Sequence, residues 1–104
     1  DAVEKEIAGC TVSVNEEGYL TALDQWNREI AEALAAEEGV GLTEQHWEVI
    51  QFLQDRYRAG EALSIRSIGK HGPVDIKQFY ALFPDGPLKK ASRIAGIPKP
   101  ASCL

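Results

Sequence analysis

Cys103 is the residue whose type and place suggest chemistry. It is the second-last residue of a 104-residue chain and one of two cysteines. It follows Ile97-Pro98-Lys99-Pro100-Ala101-Ser102, where two prolines one residue apart exclude helix and favour an extended, polyproline-like arm. Measured from Pro98, such an arm reaches at most ~17 Å. The thiolate is the nucleophilic form of cysteine, and an unperturbed thiol ionises near pH ~8.5, so only a small fraction is active at neutral pH. Lys99 and the cations before it favour that ionisation. A thiol at the end of a stiffened arm suits a swinging carrier that enters another protein's cleft. A passive tail residue is the plainer reading, and spacing alone does not separate the two.

The other candidates are weaker. Cys10 sits in a β-branched run and reads as an ordinary half-buried residue. The two cysteines do not form a Cys-x-x-Cys pair, which argues against a thioredoxin-like redox site. His46 follows a good N-cap and faces inward, so a core or capping role outweighs a catalytic one. His71 precedes Gly72-Pro73 and reads as a turn residue. No His and Cys share metal-ligand spacing, so no metal is expected. No glycine-rich phosphate loop or paired-carboxylate motif appears, and no cofactor is expected. Trp26 and Trp47 are most simply core aromatics. Lys89, Lys90, Arg93 and Lys99 are candidates for stabilising an anion or docking a partner, and Arg66 is a weaker one.

The elements that must hold these groups are mostly helical. Residues 1–8 are charged and are expected to fray. Residues 10–14 alternate and read as a strand, with turn chemistry at residues 15–18 and a return strand starting at Tyr19-Leu20. A helix is expected from Asp24 to about Glu37, with Leu23, Trp26, Ile30, Ala33 and Leu34 on one face. Thr43 caps a second helix that runs to about Arg58, with Gly60 closing it. Residues 63–69 suggest one or two helical turns. Asp75 caps a helix through Phe83, and Pro87 opens a last one whose inner face is Leu88, Ala91, Ile94 and Ala95. These elements predict one mainly α domain over residues 1–104. Its expected form is an irregular orthogonal helical bundle with a small N-terminal β-hairpin and a flexible C-terminal arm over residues 97–104.

Composition agrees with a globular domain: 44% of residues are hydrophobic and 26% charged. No apolar run approaches the ~18 residues of a membrane span. No membrane partner is expected, and with so few cysteines a cytoplasmic location is. The net charge of −5 hides an asymmetry, because residues 1–61 balance at −10 and residues 62–104 at +5. The basic part can steer an acidic partner or simply be solvated. Residues 64–83 also admit a helix-turn-helix reading with Arg66, Lys70 and Lys77 facing phosphates. The negative total argues against direct DNA binding.

Residues 82–104, LFPDGPLKKASRIAGIPKPASCL, resemble the C-terminal signature of the DsrC/TusE family. Residues 15–20, the helix around Trp26 and residues 42–47 are similar to the same family, so the likeness covers most of the chain. The family comprises proteins once called gamma subunits of dissimilatory sulfite reductase, and sulfur-relay proteins of tRNA 2-thiouridine synthesis. The resemblance implies a helical bundle with an N-terminal hairpin and a C-terminal arm. It implies that Cys103 carries sulfur as a persulfide, a sulfurtransferase activity in the carrier sense. Implied partners are a sulfur-donor complex and a sulfur-accepting, tRNA-thiolase-like enzyme, with dissimilatory sulfite reductase as the alternative. Members of the sulfite-reductase type have a second cysteine eleven residues before the penultimate one, and here that position is Ser92. A hydroxyl cannot close a disulfide, so the resemblance points to the one-cysteine relay members.

Overall fold

The structure is a computed structural model that describes residues 1–101. Ser102, Cys103 and Leu104 lie outside the described residues.

The chain opens with a hairpin, but its partner strands differ from the expected ones. Strand β1 (Val3–Ile7) pairs antiparallel with β2 (Cys10–Val14), with Val3 opposite Val14 and Ile7 opposite Cys10. Residues 1–8 are therefore not a frayed end. Their apolar alternation is interrupted by Lys5, which hides the strand from a pattern reading. The β1–β2 turn is made by Ala8 and Gly9, both at positive φ (51° and 78°), the conformation that matches the twist of a two-residue hairpin loop. Glu6 and Thr11 face each other across the strands, and the Thr11 hydroxyl donates to the Glu6 carboxylate. The expected return strand at Tyr19-Leu20 reduces to one bridge between Leu20 and Val14.

Five helices follow: α1 (Arg28–Glu37), α2 (Glu44–Arg58), α3 (Ile65–His71), α4 (Ile76–Leu82) and α5 (Pro87–Ile94). This is the mainly α bundle with an N-terminal hairpin that the patterning predicts. The helix expected from Asp24 is interrupted. Leu23–Gln25 form a 3-10 turn, Trp26 is extended, and α1 starts only after Asn27, whose Oδ1 accepts from the Ile30 N–H at 2.8 Å. An Asn side chain that can satisfy a free helix N–H favours a new start over continuation. Thr43 and Asp75 cap α2 and α4 as expected. The short segment after Leu63 becomes α3, which starts after Ser64 and so lies two residues later than its pattern suggests. Helices α3 and α4 do form a helix pair across Gly72-Pro73, and Arg66, Lys70 and Lys77 are exposed on it.

The core is continuous from the hairpin (Ile7, Val12, Val14) through α1, α2 and α4 to α5. Phe79, Phe83, Ile30, Leu34, Leu53 and Ile94 are fully buried, each contributing about 1.5–3 kcal/mol of transfer free energy. Helix α5 sits at the centre of this packing, against α1, α2 and α4. No helix among the described residues is long and apolar enough to cross a membrane.

Candidate functional site

The site is the place where the chain leaves α5 and heads for Cys103. The leaving segment starts one residue later than the patterning predicts. Ile97 is fully buried, and its N–H donates to the Ser92 carbonyl at 3.1 Å, so among the described residues the chain leaves the core only at Pro98. A tail side chain this apolar gains more in the core than in water.

A helix end normally leaves its last carbonyls unpaired. Here one side chain from the extended residue before α1 and one from α2 satisfy them. The Trp26 indole N–H donates to the Ile94 carbonyl at 2.8 Å, and the Gln54 amide donates to the Ala95 carbonyl at 2.8 Å. Trp26 also lies over Gly96, which holds φ at +77° and has no room for a Cβ. These contacts stop α5 at one residue and set the direction in which the tail departs.

The same helix is tied to the N-terminal half through Arg93. Its guanidinium donates to Glu38 at 2.8 Å, to Glu37 at 2.6 Å and to the Gly18 carbonyl at 3.2 Å. Burial disfavours the charged guanidinium, but its bonds to Glu37 and Glu38 outweigh that, so Arg93 is held above its ordinary pKa. Glu37 is held below its ordinary value, first by its hydrogen bond from Arg93, with burial opposing and the charges of Arg93 and Lys5 assisting.

Three of the sequence-predicted residues come together. Lys89, Lys90 and Arg93 line a cleft of about 350 Å³ with Tyr19 and Gly86. Its wall also carries Glu17, Glu38 and Asp85, so it is a mixed-charge cleft rather than a bare anion pocket. Lys90 Nζ donates to the Pro84 carbonyl at 2.7 Å, while Lys89 is exposed and makes no ion pair among the described residues. Lys99 lies on the tail itself, 3.0 Å from Glu17. Arg66 stands apart on α3, exposed and outside this cleft. On the tail's other side is a groove of about 410 Å³ between Pro98–Ala101 and Tyr57, Glu61, Ala62, Leu63 and Ser64.

The remaining candidates are structural. The His46 Nδ1 accepts from the Thr43 N–H at 3.0 Å, its Nε2 bonds the Leu82 carbonyl at 2.8 Å, and its ring meets Phe83 edge-on. Nδ1 must therefore be the acceptor and Nε2 the donor, which makes His46 a cap linking α2 to α4. Cys10 is half-buried against the core. Ser92 is fully buried and its Oγ has no hydrogen-bond partner among the described residues. Sequence patterning does not single out Glu17, Trp26 and Gln54 as groups that shape the site. Only their long-range partners reveal them, and no local signal distinguishes them from a turn carboxylate, a core aromatic and a surface amide.

Comparison with known proteins gives one consistent outcome. The family model for DsrC-like proteins matches residues 6–104. A protein named sulfurtransferase TusE from Pectobacterium atrosepticum is 37% identical, over 95% of this chain and 98% of that one. The solution structure of DsrC from Allochromatium vinosum is 38% identical with a TM-score of 0.82, covering 100% of both chains. The crystal structure of the oxidized gamma-subunit of the dissimilatory sulfite reductase (DsrC) from Archaeoglobus fulgidus is 37% identical, with a TM-score of 0.81 over 98% of this chain and 100% of that one. With sequence, family model and fold in agreement over nearly the whole length, the chain belongs to the DsrC-like family.

Proposed function

We propose that this protein is a sulfur carrier that holds transferable sulfur as a persulfide on Cys103. The observation that carries the reading is the join between a family whose members include named sulfurtransferases and a chain whose penultimate residue is a cysteine, two positions beyond the last described residue. The Cys103 thiolate attacks the outer sulfur of a donor's persulfide. A new S–S bond forms at Cys103 Sγ, the donor's S–S bond breaks, and the donor leaves as a thiolate. The transfer is an exchange with no net oxidation. The loaded sulfur is then passed to an acceptor by the same type of step.

The rigid seat of α5 supports this reading, because a carrier must present its tip at a defined place. Pro98 and Pro100 limit what the segment can do when free, so less entropy is lost when a partner binds it. Lys89, with no ion pair among the described residues, and Lys90 beside it offer a basic surface for docking or for stabilising a persulfide anion, with Arg93, already paired with Glu37 and Glu38, as its base. Lys99 is the basic group nearest the tip along the chain, and Arg66 is a more distant docking candidate. The partners are a persulfide-bearing donor protein and an accepting enzyme of the tRNA-thiolating type, in the cytoplasm.

A second reading, as a partner of dissimilatory sulfite reductase, is favoured by the likeness to the Archaeoglobus fulgidus gamma-subunit. Ser92 weighs against the two-cysteine redox cycle in that setting, since a hydroxyl forms no disulfide.

Intact-mass spectrometry tests the proposal. Incubation with a cysteine desulfurase, cysteine and relay proteins should add sulfur to the wild type. Cys103→Ala should lose the adduct and keep its melting temperature, and equal loading of that variant would refute the assignment. Pull-downs with sulfite reductase and with the relay proteins separate the two readings. A salt-titrated gel shift with random and promoter DNA should show no specific complex.

A further inference from the structure

We propose that the ion pair between Lys99 and Glu17 is a reversible catch on the root of the C-terminal arm, which makes Glu17 a positioning residue for Cys103. The catch matters for function if Cys103 is the sulfur carrier, but its existence does not depend on that.

Ile97 is the last of the described residues to be buried in the core. Beyond it, Pro98 and Pro100 have no N–H to donate, so the backbone has little with which to bind the surface. Lys99 stands between them, and its Nζ lies 3.0 Å from Glu17 Oε2. The carboxylate stands on a stiff support. Asn15 Oδ1 accepts the N–H groups of both Glu17 and Tyr19 at 3.0 Å, and the Gly18 N–H donates to the Asn15 carbonyl at 3.0 Å. That turn is joined to α5 twice, by the Tyr19 hydroxyl donating to the Lys89 carbonyl at 3.0 Å and by Arg93 donating to Gly18. Turn and helix are thus bonded to each other, and the catch ties the arm back to the helix from which it springs.

Both partners are solvated, at 36% exposure for Lys99 and 55% for Glu17. Such a pair is weak and is screened by salt, so it opens readily. Its effect is on reach. The chain from Ile97 to position 103 is at most about 20 Å long when extended, and from a caught Lys99 about 14 Å. Closing the catch shortens that length by roughly a third.

A nitroxide on Cys103, in a Cys10→Ser background, reads this directly and needs no sulfur chemistry. At low ionic strength the wild type should show a motionally restricted population. Glu17→Gln and Lys99→Gln should each lower it by roughly two- to five-fold, the range set by an exposed pair. Salt at about 1 M, where screening acts within ~3 Å, should lower the wild type to the same level and leave both variants unchanged. The exchanged pair, Glu17→Lys with Lys99→Glu, should restore the restriction, a recovery that loss of local structure cannot mimic. Spectra indifferent to all four changes overturn the catch. Absence of sulfur loading on Cys103 alongside salt-sensitive spectra would instead overturn the carrier reading and leave the catch standing.

Discussion

Helix α5 and the segment that follows it are neighbours with opposite properties. Between Pro87 and Ile97 most side chains are buried, and the carbonyls of Ser92, Arg93, Ile94 and Ala95 all have donors. Between Pro98 and Ala101 no side chain is fully buried and one exposed ion pair provides the tether. The change takes place within two residues. Its cause is a switch in what the chain can offer: apolar surface and backbone donors before, prolines and a lysine after. A carrier needs that contrast, because a tip can be delivered accurately only from a base that does not move.

Gly96→Ala should break the contrast most strongly. The new Cβ would stand 2.6 Å from Trp26 Cδ1 at a φ of +77°. Gly39→Ala is the control, since its φ is +74° and nothing lies within 4 Å of the added carbon. Left-handed strain alone should cost each variant about 1 kcal/mol, and displacing Trp26 should take Gly96→Ala to about 2–4 kcal/mol. Urea titration compares the two, and equal losses would mean that Trp26 does not seat the tail.

Arg93→Met comes next. It removes bonds to Glu37, Glu38 and Gly18, and should lower stability at neutral pH by about 1–3 kcal/mol. The pH dependence sharpens the point. Glu37 has its folded-state pKa depressed below the ordinary 4.5. Its contribution is therefore complete above pH 4.5 and is lost as pH falls through the lower, folded value. Melting curves between neutral and acid pH should show the wild type losing this increment below pH 4.5, with Arg93→Met lacking that part of the loss. Identical acid profiles would contradict the assignment.

Ser92→Ala should have the smallest effect. The buried hydroxyl makes no hydrogen bond among the described residues, so its removal should leave stability unchanged or raise it by up to about 1 kcal/mol. A marked loss would mean that the hydroxyl has a partner.

Much of this was legible beforehand where the signals are local. Thr43, Asp75 and Pro87 start their helices as capping chemistry requires, and the inner face of α5 follows from its spacing. The hairpin was half legible. Cys10–Val14 announces itself by alternation, but β1 has Lys5 on the face that should be apolar, and the two-residue turn begins with an alanine that rarely takes positive φ. The break at Trp26 was legible only through Asn27, whose side chain offers a cap for a new start. Helical spacing continues through it, and the interruption follows from an indole that is needed 68 residues away, at the end of α5.

The amino-acid order by itself determines the secondary elements with strong caps, the proline-stiffened ending and the family signature around Cys103, because each depends on residues close together in the chain. Tertiary structure alone decides that Ile97 belongs to the core, that Arg93 bonds two carboxylates of α1 and its C-cap, and that Lys99 meets Glu17. Those outcomes depend on which buried surfaces and charges are brought within a few ångströms by packing, and no local pattern encodes that proximity.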